Sequence, residues 1–404
     1  MLKRIAVEQL RPGMYLHELC GFWIDHPFWK ITVTLRDAHD VASIVDAGIK
    51  EVWIDAAKGL DVGASAAKQQ AGTPSGHALG GTAAPLPGGI ERIALADELS
   101  RATRICETAK QAVTAMFQEV RMGKAVAAED ALPLVEEISQ SVVRNPEALI
   151  SLARLKTADN YTYMHSVAVC GLMISLSRML ALDAKDVRQA GLAGLLHDVG
   201  KMAIPLAVLN KPGKLTDEEF ILVKNHPREG HRILVEGGGA PPIALDVVLH
   251  HHEKVDGSGY PARLKGDEIS LFSKMGAVCD VYDAITSDRP YKKGWNPAES
   301  VSKMAQWCAG HFDETVFQAF VKTIGIYPVG TLVRLNADRL AVVLEQSPTS
   351  LLAPTVKAFF CAKTRLRLPP KIIELARAGG ADRIETRENP ADWGISNVDQ
   401  LWRE

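Results

Sequence analysis

The apolar positions change period more than once along the chain. Over residues 1–55 short apolar runs alternate with turn signals. LRPGMYL holds a Pro-Gly turn, and KITVTL is rich in the β-branched residues that suit a strand. VASIVDAGIKEVWID predicts a short helix stopped at Gly48 and a strand over 51–54. Together these read as a small α+β module. Residues 56–89 lose nearly all large apolar side chains, and their Ala/Gly/Ser/Pro composition predicts a flexible linker. From Ile90 the period is helical. Ile105, Ala109, Ala112, Met116 and Val120 recur at three- and four-residue spacing and predict one apolar stripe. Another helix is predicted over about 129–143. In NPEALISLARL, Asn145 is placed as N-cap with Pro146 at the first helical position. TDEE at 216–219 has the form of a capping box. Helices punctuated by Gly and Pro continue to about residue 325. Alternation then returns: GTLVRLNADRLAVVLEQ predicts a β-hairpin around Asn-Ala-Asp, and PTVKAFFCAK a further strand.

Composition narrows the class. With 404 residues the chain can hold two or three domains, each with its own core. A hydrophobic content of 47% and a charged content of 23% are those of a globular protein. The net charge of −2 gives no global attraction to a nucleic acid polymer, so any grip on an anionic ligand must be local. Lys357, Lys363, Arg365, Arg367 and Lys371 make the C-terminal region locally basic, which reads as a solvated face. The six cysteines are scattered without a CxxC pair, which argues against a thiolate zinc site and for a reducing compartment. The N-terminus has no long apolar run of the kind a signal peptide needs. VAVCGLMISLSRMLAL at 167–182 is short for a bilayer span and carries Arg178, so it reads as a buried core helix. The expectation is a cytoplasmic chain with no transmembrane segment.

The histidines change the picture most. Seven of the twelve lie between 165 and 252. Neutral imidazole is the commonest metal ligand, and carboxylates accompany these. GLLHDVGK follows an apolar helical stretch and ends in Gly, so His197 and Asp198 are expected near a helix C-terminus. Adjacent helix positions point about 100° apart; adjacent side chains can therefore serve two ions, with Asp198 placed to bridge them. Lys201, four residues on, shares the face of His197 if the helical turn continues. His165 lies in DNYTYMHSVAV, His226 follows the capping box, His251 and His252 precede Glu253, and Asp280 and Asp283 sit three apart on a predicted helix. Imidazoles with a shared carboxylate describe a binuclear centre for Fe, Mn or another divalent ion. In the N-terminal module His17, His26 and His39 lack a carboxylate arrangement, and Trp23, Phe28 and Trp29 read as core.

Three blocks carry a resemblance: HD at 197–198, HHExxDGxGYP at 251–261 and DxxDAxxxxRPYxK at 280–292. They are similar to the HD-GYP family of cyclic di-GMP phosphodiesterases over about residues 155–325. The segment LRPGMYL…W…HPF resembles the small domain (DUF3391) that often precedes this catalytic domain. The fold implied is multidomain: an all-α HD-type helical catalytic core, a small N-terminal α+β module and a small β-rich C-terminal appendage. The corresponding segments are 1–56, a linker at 57–89, connecting helices at 90–154, the catalytic domain at 155–325 and the appendage at 326–404.

The resemblance implies two divalent metal ions. One would take His165, His197, Asp198 and Asp280; the other Asp198, His226, His251 and His252. Some family members place a Glu four residues before the first histidine to help hold a third metal, but Tyr161 stands there and offers no carboxylate. The implied reaction is in-line attack on phosphorus by a hydroxide bridging the metals, giving pGpG and, in many relatives, GMP by a further cut. Asp198 and Lys201 are the catalytic candidates, Lys201 steadying phosphoryl charge or the leaving O3′. Lys201, Tyr260, Arg289 and Lys292 are the substrate-binding candidates. Glu253, Asp256 and Asp283 are expected to support the ligands, and His250 to stand outside them. The rivals are a catalytically silent cyclic di-GMP sensor and an HD phosphohydrolase acting on another cyclic dinucleotide. The N-terminal module suggests a regulatory protein partner.

Overall fold

The structure, a computed structural model, describes residues 2–20, 33–35, 41, 51–60, 93–125, 127–155, 161–211, 213–288, 294–308, 310–347, 349–377 and 382–403. Contacts divide the chain into two units, Met1–Thr82 and Ala83–Glu404. In the first, strands β1 (Leu2–Ala6), β2 (Tyr15–Cys20), β3 (Val33–Thr34) and β4 (Glu51–Asp55) form an antiparallel sheet of order β1-β4-β2-β3. Val52 and Ile54, two apart on β4, point to one side and pack with Ile5, Val7, Met14 and Leu35. The expected helix before Gly48, His26, His39, Trp23, Phe28, Trp29 and most of the expected linker lie outside the described residues.

Among its described residues the second unit opens with twelve helices. These are α1 (Leu95–Arg121), α2 (Leu132–Arg144), α3 (Pro146–Arg154), α4 (Tyr161–Met179), α5 (Ala184–Leu196), α6 (Leu206–Leu209), α7 (Asp217–Lys224), α8 (His226–Gly237), α9 (Pro242–His250), α10 (Leu271–Thr286), α11 (Pro297–Trp307) and α12 (Glu314–Ile324). Helix α4 is the pivot. Val167, Cys170, Met173, Ile174 and Leu176 are all within 1% of full burial, as a helix apolar on every side requires. No helix among the described residues is long and apolar enough to cross a membrane. The expected caps form. Asn145 Oδ1 accepts from the Glu147 and Ala148 amides at 3.0 and 3.2 Å. Thr216 Oγ1 accepts from Glu219 N at 3.3 Å while Thr216 N donates to Glu219 Oε2 at 2.7 Å.

The apolar stripe of α1 differs from the one expected. The buried line is Ala102, Cys106, Ala109, Val113, Phe117 and Val120, whereas Ala112 is exposed and Ile105 and Met116 only flank the core. Val113 and Phe117 carry far more apolar surface than Ala112, so their burial sets the rotation of the helix.

Five strands follow: β5 (Leu332–Leu335), β6 (Arg339–Glu345), β7 (Thr355–Cys361), β8 (Leu366–Glu374) and β9 (Ile384–Arg387), in the order β8-β7-β6-β5-β9. The β5–β6 hairpin closes with Leu335 opposite Arg339, around the expected Asn-Ala-Asp turn, and Asp338 there has φ 53. A last helix, α13 (Val398–Arg403), is tied to α3 by Arg154 Nη2 to Asp399 Oδ1 at 3.2 Å. Lys363, Arg365, Arg367 and Lys371 are exposed on this appendage, while Lys357 Nζ donates to Leu401 O at 2.7 Å.

Candidate metal centre

The chain brings its ligand-type side chains together from five helices. His165 comes from the first turns of α4, and His197 and Asp198 from the end of α5. His226 opens α8, His251 and His252 follow α9, and Asp280 and Asp283 lie on α10. After α5 the chain tightens into a 3₁₀ turn, Val199–Ala203, that packs against α8. A Cβ on Gly200 would lie 1.9 Å from His226 O and 2.4 Å from Gly230 N. Only glycine fits, and its fit sets the His197–Asp198 turn directly against His226.

Each oxygen of Asp198 faces its own pair of imidazoles. Oδ2 lies 3.5 Å from His165 Nε2 and 3.3 Å from His197 Nε2. Oδ1 lies 3.3 Å from His226 Nε2 and 3.9 Å from His251 Nε2. Asp280 closes the first group, with Oδ1 at 3.0 Å from His165 Nε2 and 3.8 Å from His197 Nε2. His252 joins His226 and His251 in the second. Both groups keep their ligand-type atoms within 4.8 Å of one another.

The far ring nitrogens fix the tautomers. Carbonyl oxygens only accept, so Nδ1–H of His197 donates to Gly194 O at 2.8 Å and that of His226 to Val223 O at 2.7 Å. His251 Nδ1–H is shared between Val247 O and Val248 O at 3.0 and 3.1 Å. His165 Nδ1 meets Asp283 Oδ2 at 2.6 Å. The Nε2 lone pairs are thereby turned inward, at 3.2 Å between His165 and His197 and 3.3 Å between His226 and His251. Facing lone pairs repel unless a cation or proton lies between them. Asp198 Oδ1 is buried with no hydrogen-bond donor. A divalent cation beside each oxygen answers both features, and the donor set of imidazoles and carboxylates fits such ions.

The electrostatics agree. Burial pushes His226 down to about 3 and His252 to about 4, which keeps both neutral and able to coordinate. Burial opposes a proton on His197 too, but the Asp198 and Asp280 carboxylates outweigh it and raise the ring to about 10. In the bare protein that imidazolium stands in for missing positive charge. Burial also opposes ionisation of Asp198, yet Lys201 and His197 hold it well below the usual carboxylate range. Lys201 donates to Asp198 Oδ2 itself, within one 3₁₀ turn, instead of sharing the face of His197.

Other expected residues are placed differently. His250 turns away from the centre, with Nδ1 2.8 Å from Asp246 Oδ1. The Glu253 carboxylate is spent on backbone: it accepts the Ala262, Arg263 and Leu264 amides at 2.6, 3.0 and 3.1 Å and so cages the turn that follows. Asp256, also expected beside the ligands, is exposed, and its Oδ1 accepts Ser258 N at 2.8 Å. Gly259 passes so close to the chain behind it that a Cβ would sit 2.4 Å from Lys254 N. This packing delivers Tyr260 to the centre, where its ring lies 4.8 Å from that of His252, tilted by 30°. Two residues that the sequence did not single out hold the turn from α7 and α8. Lys224 Nζ sits 5.3 Å above the Tyr260 ring, and Arg228 Nη2 donates to Pro261 O at 3.2 Å. Arg289, Lys292 and the side chain of Tyr161 lie outside the described residues.

Comparison with known proteins gives two family matches: a domain of unknown function (DUF3391) over residues 2–131 and an HD domain over 136–316. The first runs on through α1. A cyclic di-GMP phosphodiesterase of Pseudomonas aeruginosa is 54% identical over 408 residues, covering 100% of this chain and 96% of that protein. A cyclic di-GMP phosphodiesterase of Vibrio cholerae is 37% identical over 202 residues, 46% of this chain and 41% of that protein. The same organism's 3'3'-cGAMP-specific phosphodiesterase 1 is 32% identical over 182 residues, 44% of this chain and 42% of that protein.

Proposed function

The chain belongs to the HD-GYP family of phosphodiesterases, and from that premise we propose that its substrate is cyclic di-GMP, opened to linear pGpG. The product keeps one phosphodiester of the same kind, so a second turnover gives GMP. The observation that carries this reading is the shared carboxylate: each oxygen of Asp198 addresses a separate imidazole pair. His165, His197, Asp198 and Asp280 would hold one cation; Asp198, His226, His251 and His252 would hold the other. Fe or Mn suits this thiolate-free set, and Tyr161 supplies no carboxylate for a third ion. Bound there, two divalent ions would supply an activated water and charge neutralisation at the phosphodiester.

The chain's own residues do the rest. Asp283 orients His165 through Nδ1, which turns its Nε2 toward Asp198 and Asp280. Lys201, 22% exposed beside a buried Asp198, offers a cation to the phosphoryl oxygens or the departing O3′. Tyr260 borders the opening, and Arg289 and Lys292 of RPYKK are assigned to the substrate phosphates. Cyclic di-GMP is preferred to 3',3'-cGAMP because the relative that spans the whole chain is named for the former. A silent sensor is disfavoured because every ligand position of the family is filled in this sequence.

Residues 155–325 are then assigned to catalysis, with 90–154 connecting, 326–404 appended, and 57–89 leading from a 1–56 module that takes a regulatory protein partner. The compartment that fits cyclic di-GMP and scattered thiols is the cytoplasm. The test is to load anaerobically purified protein with Fe or with Mn, add cyclic di-GMP and resolve the nucleotides by chromatography. The expected product is pGpG. Unchanged substrate under both metals would favour the sensor and end the enzyme assignment.

A further inference from the structure

Among the described residues the centre opens where a few of its side chains are exposed. Side chains of His165, His197, Asp198, His226 and His251 are no more than 1% exposed, whereas Asp280 is 10%, Lys201 22% and His252 24% exposed. Tyr260 flanks that opening through its contact with His252. A second ring, His311, belongs to the segment after α11 that is hydrogen-bonded to the turn carrying Tyr260. His311 lies in the fields of His252 and Asp280, the two open ligands, and of Lys254 and Asp256.

This ring is held in place from two directions. Its backbone is tied to the same turn that presents Tyr260: Val255 N donates to His311 O at 3.3 Å, and Asp256 N to Gly310 O at 3.1 Å. Its imidazole stacks on Phe312, centroids 4.2 Å apart and planes within 10°, and Phe312 stacks in turn on buried Phe317 at 5.9 Å. Yet neither ring nitrogen makes a hydrogen bond among the described residues. Burial pushes the ring down to about 4, so at neutral pH it offers one N–H donor and one lone pair. A half-buried imidazole, anchored on its apolar face and unspent at its polar edge, is arranged for a ligand.

We propose that His311 is a base-recognition residue, donating to the N7/O6 edge of a purine in the cyclic dinucleotide whose phosphate occupies the metal centre. The chemistry fits, since N7 and O6 of guanine are both acceptors. This inference rests on the proposed function and adds to it the residue that distinguishes a nucleotide from a plain phosphodiester. It also gives the His311–Asp256 segment a reason to be hydrogen-bonded together: one turn positions both rings.

The test compares cyclic di-GMP with bis(p-nitrophenyl) phosphate, a phosphodiester without a base, on the full Mn-loaded chain. His311→Ala should raise KM for cyclic di-GMP about tenfold, the size of one neutral hydrogen bond, with kcat within about threefold. Turnover of the base-free ester and Mn per chain should stay at wild-type values. His311→Gln, which keeps a donor, should recover most of the loss. An unchanged KM in His311→Ala, an equal loss on both esters, or a fall in Mn content would overturn the inference. A wild-type protein that cuts only the base-free ester would instead overturn the proposed function, and this inference with it, before any variant is compared.

Discussion

Adjacent histidines in HHHE have separate duties. His251 is fully buried with Nε2 toward Asp198, while His250 spends Nδ1 on Asp246, itself held by Ser270 and by Ser273 Oγ at 2.8 Å. His251→Ala should therefore strip at least one metal equivalent from the chain, and His250→Ala should leave the metal count unchanged. Elemental analysis of both variants checks the register; equal losses would shift it by one residue. The ligand positions were legible because ligand chemistry restricts residue type, and restricted types at motif spacing stand out. Glu253 and Asp256 were not. A carboxylate that accepts three backbone amides leaves no trace in the sequence, because the amides it serves belong to any residue.

At the level of elements, helix ends were read more surely than helix faces. Asn145-Pro146 and the Thr216–Glu219 box are local chemistry, and the caps form as expected. The buried face of α1 depends instead on which side chains meet α3 and α4 across space, so it turned one residue from the expected stripe. The same distinction holds in the appendage. The β5–β6 hairpin is set by its turn, whereas β9 returning beside β5 is a long-range pairing that no local pattern announces. Contact between the 3₁₀ turn and α8 is similarly long-range, and Gly200 is its key. Gly200→Ala forces a methyl against His226 O and Gly230 N. The expected cost is about 2 kcal/mol or more by denaturant unfolding, with weaker metal binding. A variant as stable and as well loaded as wild type would show that the two segments can separate without consequence.

For the molecule as a whole, the apolar core and the centre are one construction. The helices that carry the ligands, α4, α5, α8, α9 and α10, also bury apolar side chains, so the cations and the fold share supports. Metal binding to the native state alone adds about 2.7 kcal/mol at a hundredfold excess over Kd. Chelation should then lower the midpoint of thermal unfolding by roughly 3–5 °C while helix content at low temperature persists. A midpoint indifferent to chelator would mean that the histidine cluster holds no ion in the native protein.

The central claim is that Asp198 joins two cation sites. Its most direct test is the number of metal ions per chain in wild type and in Asp198→Ala, counted after loading with Mn and removal of free metal. About two per chain in wild type, and neither site filled in the variant, is the predicted result. A wild-type count near one or three, or a variant that keeps both ions, would contradict it.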